Sequence, residues 1–377
     1  MKRNSALLLT FVLLAAFIAG GYFALRKNET TRHGDPARVA NAIVRFGVSP
    51  FQDTLVPIVG SERGWYNDEG LDVRFSVLAW EEVIPALSGG SIDIAISNET
   101  AVIAAHQQNP ELVYWYALNP FDDGFALMIR PDGRLKPLAY FLQRQSSRAE
   151  AVRLTAAQLR GATVITTSHT DMEQGVAAAA RRGGLGFPRD LKIIDLNADE
   201  GLAAFLRGEG DAYIGGIPQR SRASKEGMLE MLTGADLGPP PINGIVTTRA
   251  YAREHNDELL RILHVWFRIV RSINAEPESG GGAIIVNKLN RETGTQFTMD
   301  DFNRFWNKLE HYPQSPREIE ESILSPMGKN YWRARWDDTN DYLVNIRKTI
   351  DRPVSPEDAF LMPSAQRAYV ERFGFEE

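Results

Sequence analysis

Two stretches far apart in the chain spell nearly the same unit. The first runs Trp80-Glu81-Glu82-Val83-Ile84-Pro85-Ala86-Leu87-Ser88-Gly89-Gly90-Ser91-Ile92-Asp93-Ile94-Ala95-Ile96-Ser97. The second runs Asp199-Glu200-Gly201-Leu202-Ala203-Ala204-Phe205-Leu206-Arg207-Gly208-Glu209-Gly210-Asp211-Ala212-Tyr213-Ile214-Gly215-Gly216. Each opens with acidic residues, which suit the positive end of a helix macrodipole. Each continues with apolar residues at helical spacing and stops at glycine, which tolerates the left-handed C-cap. Each then enters a short apolar strand that ends in small residues, Ser97-Asn98 and Gly215-Gly216. A helix feeding a buried strand is half of a parallel α/β unit, and such strands present ligands at their carboxyl ends. A chain that carries the unit twice is constrained to two similar lobes, each with a small-residue loop. Two lobes with facing loops make a cleft suited to a small ligand.

The 377 residues suffice for roughly two domains. Apolar content of 44% and charged content of 24% are those of a globular protein with a sizeable core. A formal charge of -6 leaves no basic face and argues against nucleic acid as a partner. The absence of cysteine removes disulfides, thiolate zinc sites, a thiol nucleophile and a lipobox. The amino terminus departs from the globular pattern. Lys2 and Arg3 precede an uncharged, Leu/Ala/Phe-rich run over residues 4–25, and Arg26-Lys27 follows. A positive start with such a core is an export signature. Two readings of residues 1–27 stand: a secretory signal cleaved near Ala19-Gly20-Gly21, or an uncleaved anchor, since the run matches the ~20 residues that span a bilayer. Either places the bulk of the chain in the periplasm or an equivalent extracytoplasmic space. Residues 28–43 read as a tether.

Along the chain, Val44-Arg45-Phe46-Gly47-Val48 alternates as a strand, residues 54–63 form a helix capped by Asp53 or Thr54, and residues 71–77 form a second strand. After the first repeated unit come a helix over residues 99–107 and strands over 112–118 and 125–129. Residues 131–153, rich in Gly, Pro, Ser and charge, read as a surface insertion. Strand–loop–helix resumes at Gly161, with an alanine-rich helix to Arg182, a strand over 192–196 and the second repeated unit. Pro239-Pro240-Pro241 with Asn243-Gly244 is strong turn punctuation, and from Ala250 onward the pattern is helical. Two crossings, near residues 119–125 and 239–244, divide the chain into lobe one (44–124 plus 241–377, discontinuous) and lobe two (125–240).

Several motifs, in order, resemble the type II periplasmic solute-binding proteins of the nitrate/sulfonate/taurine group of ABC importers, which are related to thiamine-pyrimidine precursor binding proteins. Gly64-Trp65-Tyr66-Asn67-Asp68-Glu69-Gly70-Leu71-Asp72-Val73 is similar to the family's G-x-Y/F-x-x-x-G-L-x-V, and Ala86-Leu87-Ser88-Gly89-Gly90-Ser91-Ile92-Asp93-Ile94-Ala95 to its A-L-x-x-G-x-x-D-x-A. Leu159-Arg160-Gly161-Ala162 resembles its L-x-G-K, with Ala162 in place of the usual lysine, and Ser355-Pro356-Glu357-Asp358-Ala359-Phe360 resembles its acidic-aromatic C-terminal stretch. The resemblance implies an α/β, two-lobe type II periplasmic-binding-protein fold with a hinge between lobes. It implies capture of a small solute and delivery to a membrane permease and ATPase, with no cofactor, and it puts the pocket on the loops after the strands. Two rivals are a pyrimidine-precursor-type enzyme on the same fold, disfavoured by the missing cysteine, and a membrane-tethered small-molecule sensor.

Those loops nominate the ligand-binding residues. Phe51, Gln52 and Asp53 follow the first strand, and Trp80 and Glu81 precede the first repeated helix; an aromatic wall there can stack a flat ligand. Asn98, Glu99 and Thr100 end a strand at a helix start, where backbone N–H groups converge, although Asn98 also serves as a simple cap. Thr167, Ser168, His169 and Thr170 form the densest polar cluster, and Gly216 closes the second unit. The spacing of His169, Asp171 and Glu173 lacks the further His or Cys of a metal site, and no metal is expected. The lobe-one loops carry Asp53, Glu81, Glu82, Glu99, Asp122 and Asp123 with no basic residue among them. Such a pocket favours a cationic or nitrogen-rich ligand. A sulfonate remains open if the helix N-termini at Thr100 and Thr170 dominate.

Overall fold

A computed structural model describes residues 42–376. The expected export segment and nearly all of the tether lie outside the described residues. Among the described residues no helix is long and apolar enough to cross a membrane. Within the described residues ten strands form two five-stranded sheets: β1 (Ala42–Val48), β2 (Leu71–Val77), β3 (Ile94–Asn98), β4 (Leu112–Pro120), β5 (Ala126–Ile129), β6 (Thr163–Thr166), β7 (Lys192–Asp195), β8 (Ala212–Gly215), β9 (Leu229–Thr233) and β10 (Ile242–Thr248). Ala42 and Ile43, read as tether, pair with Leu71 and Asp72 in the first sheet instead.

The first sheet has the order β2-β1-β3-β10-β4 and the second β7-β6-β8-β5-β9. In the first, β1 runs parallel to β2 and β3, and β10 lies antiparallel between β3 and β4. In the second, β6 runs parallel to β7 and β8, and β5 lies antiparallel between β8 and β9. The sheets therefore match strand for strand, and β3 and β8, which end the two copies of the repeated unit, both take the central place. Both strands are buried along their whole length. That position explains their continuous apolar runs, since a central parallel strand is covered on both faces.

The helices feeding β3 and β8 differ in detail. Ala198–Leu206 is a single helix whose cap, Asn197, accepts the Glu200 N–H at 2.9 Å. In the first copy a single turn, Trp80–Glu82, precedes the helix Val83–Ser88, and the Glu82 carboxylate turns back to accept the Ala79 N–H at 3.1 Å. The helix after β1 is shorter than its spacing suggests. It spans Val56–Glu62 with Leu55 at the cap, and Pro57 stands in its first turn, where a missing N–H costs nothing.

The chain leaves the first sheet through residues 121–125 and returns through residues 234–241. Asn243 and Gly244, read as a turn, instead lie inside β10, opposite Asn98 and Ser97 of β3. The turn chemistry of Asn-Gly is overridden there by pairing on both sides, with a register shift against β4 at this point. The stretch 131–153 is also more than a surface insertion. It holds the helix Leu138–Leu142 and the start of Arg148–Ala157, which buries Ala151, Val152, Thr155 and Ala156.

The C-terminal third is helical, as its pattern predicts. Asn256–Ala275 buries a stripe including Leu259, Leu263, Trp266, Val270 and Ile273. The acidic-aromatic stretch returns to the first sheet. Phe360 stacks between Tyr114 of β4 and Trp332, with ring centroids 5.6 and 4.0 Å away, and the Leu361 N–H donates to the Tyr114 carbonyl at 2.9 Å.

Gly244 supplies a test of the β10 insertion. A Cβ there would collide with the Tyr116 carbonyl oxygen and the Tyr114 hydroxyl. Gly244→Val should cost at least ~1–3 kcal/mol by forcing β10 away from β4. Urea unfolding checks this; an unchanged midpoint would mean that β10 does not lie between β3 and β4.

Candidate functional site

The loops at the carboxyl ends of β1 and β6 occupy corresponding places in the two sheets, and each delivers one buried carboxylate to the same cavity. After β1 the chain buries Ser49, Gln52, Asp53 and Thr54. Asp53 is 2% exposed; one of its oxygens accepts the Thr54 N–H at 2.9 Å, and the other accepts the side-chain N–H of Asn243 in β10. After β6, Asp171 begins the helix Asp171–Arg182 and is 7% exposed. Thr170, at the cap, turns its hydroxyl back to the Thr167 carbonyl at 2.7 Å.

Between these two carboxylates lies a cavity of about 260 Å³. That is slightly below the ~300–1,000 Å³ of drug-sized sites, so the space suits a small solute. The first sheet contributes Phe51, Asp53, Trp80, Glu81 and Asn243, together with Phe121 from the crossing. The second sheet contributes Thr170, Asp171, Asn197, Asp199, Gly216 and Gln219 among others. The Phe51 and Trp80 rings meet edge to face at 6.0 Å. Among the described residues the lining holds four carboxylates, Asp53, Glu81, Asp171 and Asp199, and no Lys, Arg or His. Glu81 and Asp199 are exposed at the rim, whereas Asp53 and Asp171 are buried.

Burial raises both inner carboxylates. Asp53 is pushed up to about 6 by loss of solvent, offset in part by its backbone N–H contacts and Asn243, and raised further by the charge of Asp171. Asp171 is likewise pushed up to about 6, chiefly by burial; Arg335 lowers it and Glu99 raises it. Behind Asp53, burial lifts Glu310 well above the usual carboxylate range, and Asp53 itself adds to that. The Tyr312 hydroxyl donates to the Glu310 carboxyl.

Behind the cavity wall, Arg335 from the helix Trp332–Asp341 meets Glu99 at 2.7 Å, with both side chains buried. The guanidinium also donates to Thr100 Oγ1 at 3.1 Å and to Gln174 Oε1 at 2.9 Å. Gln174 lies on the helix Asp171–Arg182, and its amide nitrogen donates to Asp338 at 2.9 Å. Glu99 is therefore not an unpaired pocket carboxylate: its basic partner comes from the C-terminal helices. Asp122 likewise meets Lys329 at 2.9 Å. The expectation that these loops lack cationic neighbours thus fails for Glu99 and Asp122, because the partners lie far along the chain.

Of the nominated residues, Phe51, Asp53, Trp80, Glu81, Thr167, Thr170 and Gly216 reach the cavity wall. Gln52, Asn98, Glu99, Thr100, Ser168 and His169 do not. Asn98 caps the helix Glu99–His106 by accepting the Ala101 N–H at 3.2 Å. Ser168 donates its N–H to Asp195 at 2.8 Å. His169 is exposed, with φ of 63°, and its N–H donates to Glu173 at 3.0 Å while its ring stands 3.4 Å from Arg347. The wall also includes Asn243, Gln219, Asn197 and Phe121, which motif reading missed. Gln219 had a signal in its position one helical turn after the Gly215-Gly216 loop; Asn243 had none, since Asn-Gly reads as a turn.

A family model for the NMT1-like family matches residues 39–281, well over half of the chain. The chain belongs to the NMT1-like family. No curated protein matches it by sequence. Among solved structures, the periplasmic aliphatic sulphonate binding protein SsuA of Escherichia coli is similar over 82% of this chain and 95% of that one, with 16% identity and a TM-score of 0.62. The alkanesulfonate-binding protein SsuA of Xanthomonas axonopodis pv. citri, bound to MOPS, is similar over 85% and 98%, with 15% identity and a TM-score of 0.64. A Candida albicans gene product with the generic periplasmic binding protein fold is similar over 87% and 94%, with 10% identity and a TM-score of 0.59. At such identities the likeness is one of fold. This member of the NMT1-like family has the two-lobe α/β periplasmic-binding-protein fold expected from its motifs.

The raised inner carboxylates make the protein's stability depend on pH. Asp53 binds its proton more tightly folded, at about 6, than at its ordinary 3.8. Its contribution is fully present below about 3.8 and is lost as pH rises through about 6. Asp53→Asn should therefore be more stable than the unsubstituted protein by about 2–3 kcal/mol at pH 7, at ~1.4 kcal/mol per pH unit, with the gap closing near pH 4. Urea unfolding across pH 4–7 measures this. A gap that widens toward acid would contradict the assignment.

Proposed function

We propose that the protein is the extracytoplasmic solute-binding component of an ABC importer. It captures a small organic solute between two lobes and hands it to a membrane permease powered by an ATPase. The observation that carries the reading is the cavity itself: it is walled by loops at the carboxyl ends of equivalent strands in two matched sheets. Ligands of open α/β sheets bind at those strand ends. Membership of the NMT1-like family and the likeness in fold to periplasmic binding proteins support it.

In this reading residues 44–124 plus 241–377 form one lobe and 125–240 the other, with the crossings 121–125 and 234–241 as the hinge. The solute contacts Phe51, Asp53, Trp80, Glu81, Thr167, Thr170 and Gly216, together with Asp171, Gln219 and Asn243. The N-terminal segment directs export and serves as leader or anchor. The protein binds and releases without chemistry; the chain has no cysteine to act as nucleophile.

Gly216 gives a clean test. A Cβ there would meet Phe51 at 3.8 Å and Gln219 Oε1 at 3.9 Å, ordinary contacts, and its φ of -78° suits any residue. Gly216→Leu should fold normally and fill the cavity. Scattering should show compaction of the unsubstituted protein with a stabilising solute from a chemically broad panel, and none for Gly216→Leu. Equal compaction of both would put the solute elsewhere; a particle that responds to no solute would overturn the receptor reading.

A further inference from the structure

Starting from the receptor reading, we infer that the cleft is built for a small organic cation carrying N–H donors, such as a protonated amine or protonated nitrogen heterocycle. The buried Asp53 and Asp171 face the cavity from opposite sheets. Arg335 lies behind the wall and is paired with Glu99. Its charge reaches Asp171 and is offset there only in part by Glu99. Neither inner carboxylate has a basic residue beside it in the cavity lining. Glu81 and Asp199 add negative charge at the rim.

A second observation points the same way. Gln219 is 2% exposed; its amide nitrogen donates to Asp199 at 3.0 Å, and its Oε1 has no donor. Gln219 lines the cavity, and that oxygen lies beside Gly216 and Phe51, 3.9 Å from where a Cβ on Gly216 would stand. An acceptor buried without a donor is costly, and a ligand N–H supplies what is missing. The Phe51 and Trp80 rings offer a face and an edge to a cationic or flat heterocyclic group.

Most of the helix starts an oxyanion would use already carry an acid. Asp171 fills the first turn of Asp171–Arg182, Glu99 that of Glu99–His106, and Asp199 that of Ala198–Leu206. The helix Ile217–Lys225 has no acid in its first turn, but Pro218 removes one of its free N–H groups. With an acid in the first turn of three of these four helices and four carboxylates in its lining, the cleft disfavours a sulfonate. A bound cation would neutralise one carboxylate from each sheet at once and so favour closure.

The test is calorimetry and thermal shift on the full chain with charge-matched probes: butylamine, butan-1-ol and butane-1-sulfonate; benzylamine, benzyl alcohol and phenylmethanesulfonate; and a set of aminopyrimidines and amidines. Stabilisation should be confined to cations. It should weaken by about 10–100-fold in Asp53→Asn and in Asp171→Asn, the range of losing a hydrogen bond to a charged group. Asp53→Asn unfolding at higher urea than the unsubstituted protein would establish that it is folded. A sulfonate that stabilises, or a cation undiminished by both substitutions, would overturn the inference, as would failure of every cation at millimolar concentration. If a sulfonate or neutral probe stabilises and Gly216→Leu abolishes the effect, the receptor reading survives without the cation. If no probe of any charge acts, both fall.

Discussion

The Arg335 guanidinium holds together three parts of the molecule that sequence separates. It pairs with Glu99 after β3, reaches Thr100 beside it, and reaches Gln174 on the helix after β6. One helix from the C-terminal third thus touches the wall of the first sheet and the wall of the second at once. Its neighbour Asp338 repeats the pattern, accepting from Gln174 at 2.9 Å and from Arg181 at 2.8 Å. A buried pair of this kind contributes little net stability but costs ~3–5 kcal/mol when one partner is removed, because the other charge stays stranded. Its value lies in position: it ties the helix start after β3 to the helix Asp171–Arg182, whose first residue lines the cavity. Any opening of the cleft has to loosen the bonds to Gln174, while the bond to Glu99, within the first sheet, can persist.

Much of this architecture was legible because it rests on local patterns. The repeated unit predicts two similar lobes, and its two copies end in β3 and β8, the central strands of matched sheets. The helical character of the chain after Ala250 was legible for the same reason, since apolar spacing is a local signal. Where pairing decides, local chemistry misleads. Asn243-Gly244 carries a turn signature, yet it sits between two strands because Gly244 alone admits the Tyr114 hydroxyl and the Tyr116 carbonyl at close range.

The site was legible by half. Residues on loops after strands, such as Phe51, Asp53, Trp80 and Gly216, follow from where parallel strands end. Glu99 shows the limit: its acid stands at a helix start beside a strand end, but its partner lies 236 positions onward, on a helix whose pattern says only that it is amphipathic. His169 shows another limit. A polar cluster at a helix start suggests ligand contact for every member, yet backbone direction turns Thr167 and Thr170 inward and His169 outward.

Charge gives the cleft its character. Two similar sheets bring two similar loops together, and in this chain each loop ends in an acid that has lost its water. That arrangement sets like groups against each other, and the inferred cation would turn it into an attraction drawing on both sheets. Native mass spectrometry of protein freshly purified from cells, followed by identification of whatever small molecule it releases, tests this most directly. The account predicts an organic cation, released chemically unchanged. A sulfonate, nitrate or other oxyanion carried in the cleft would contradict it.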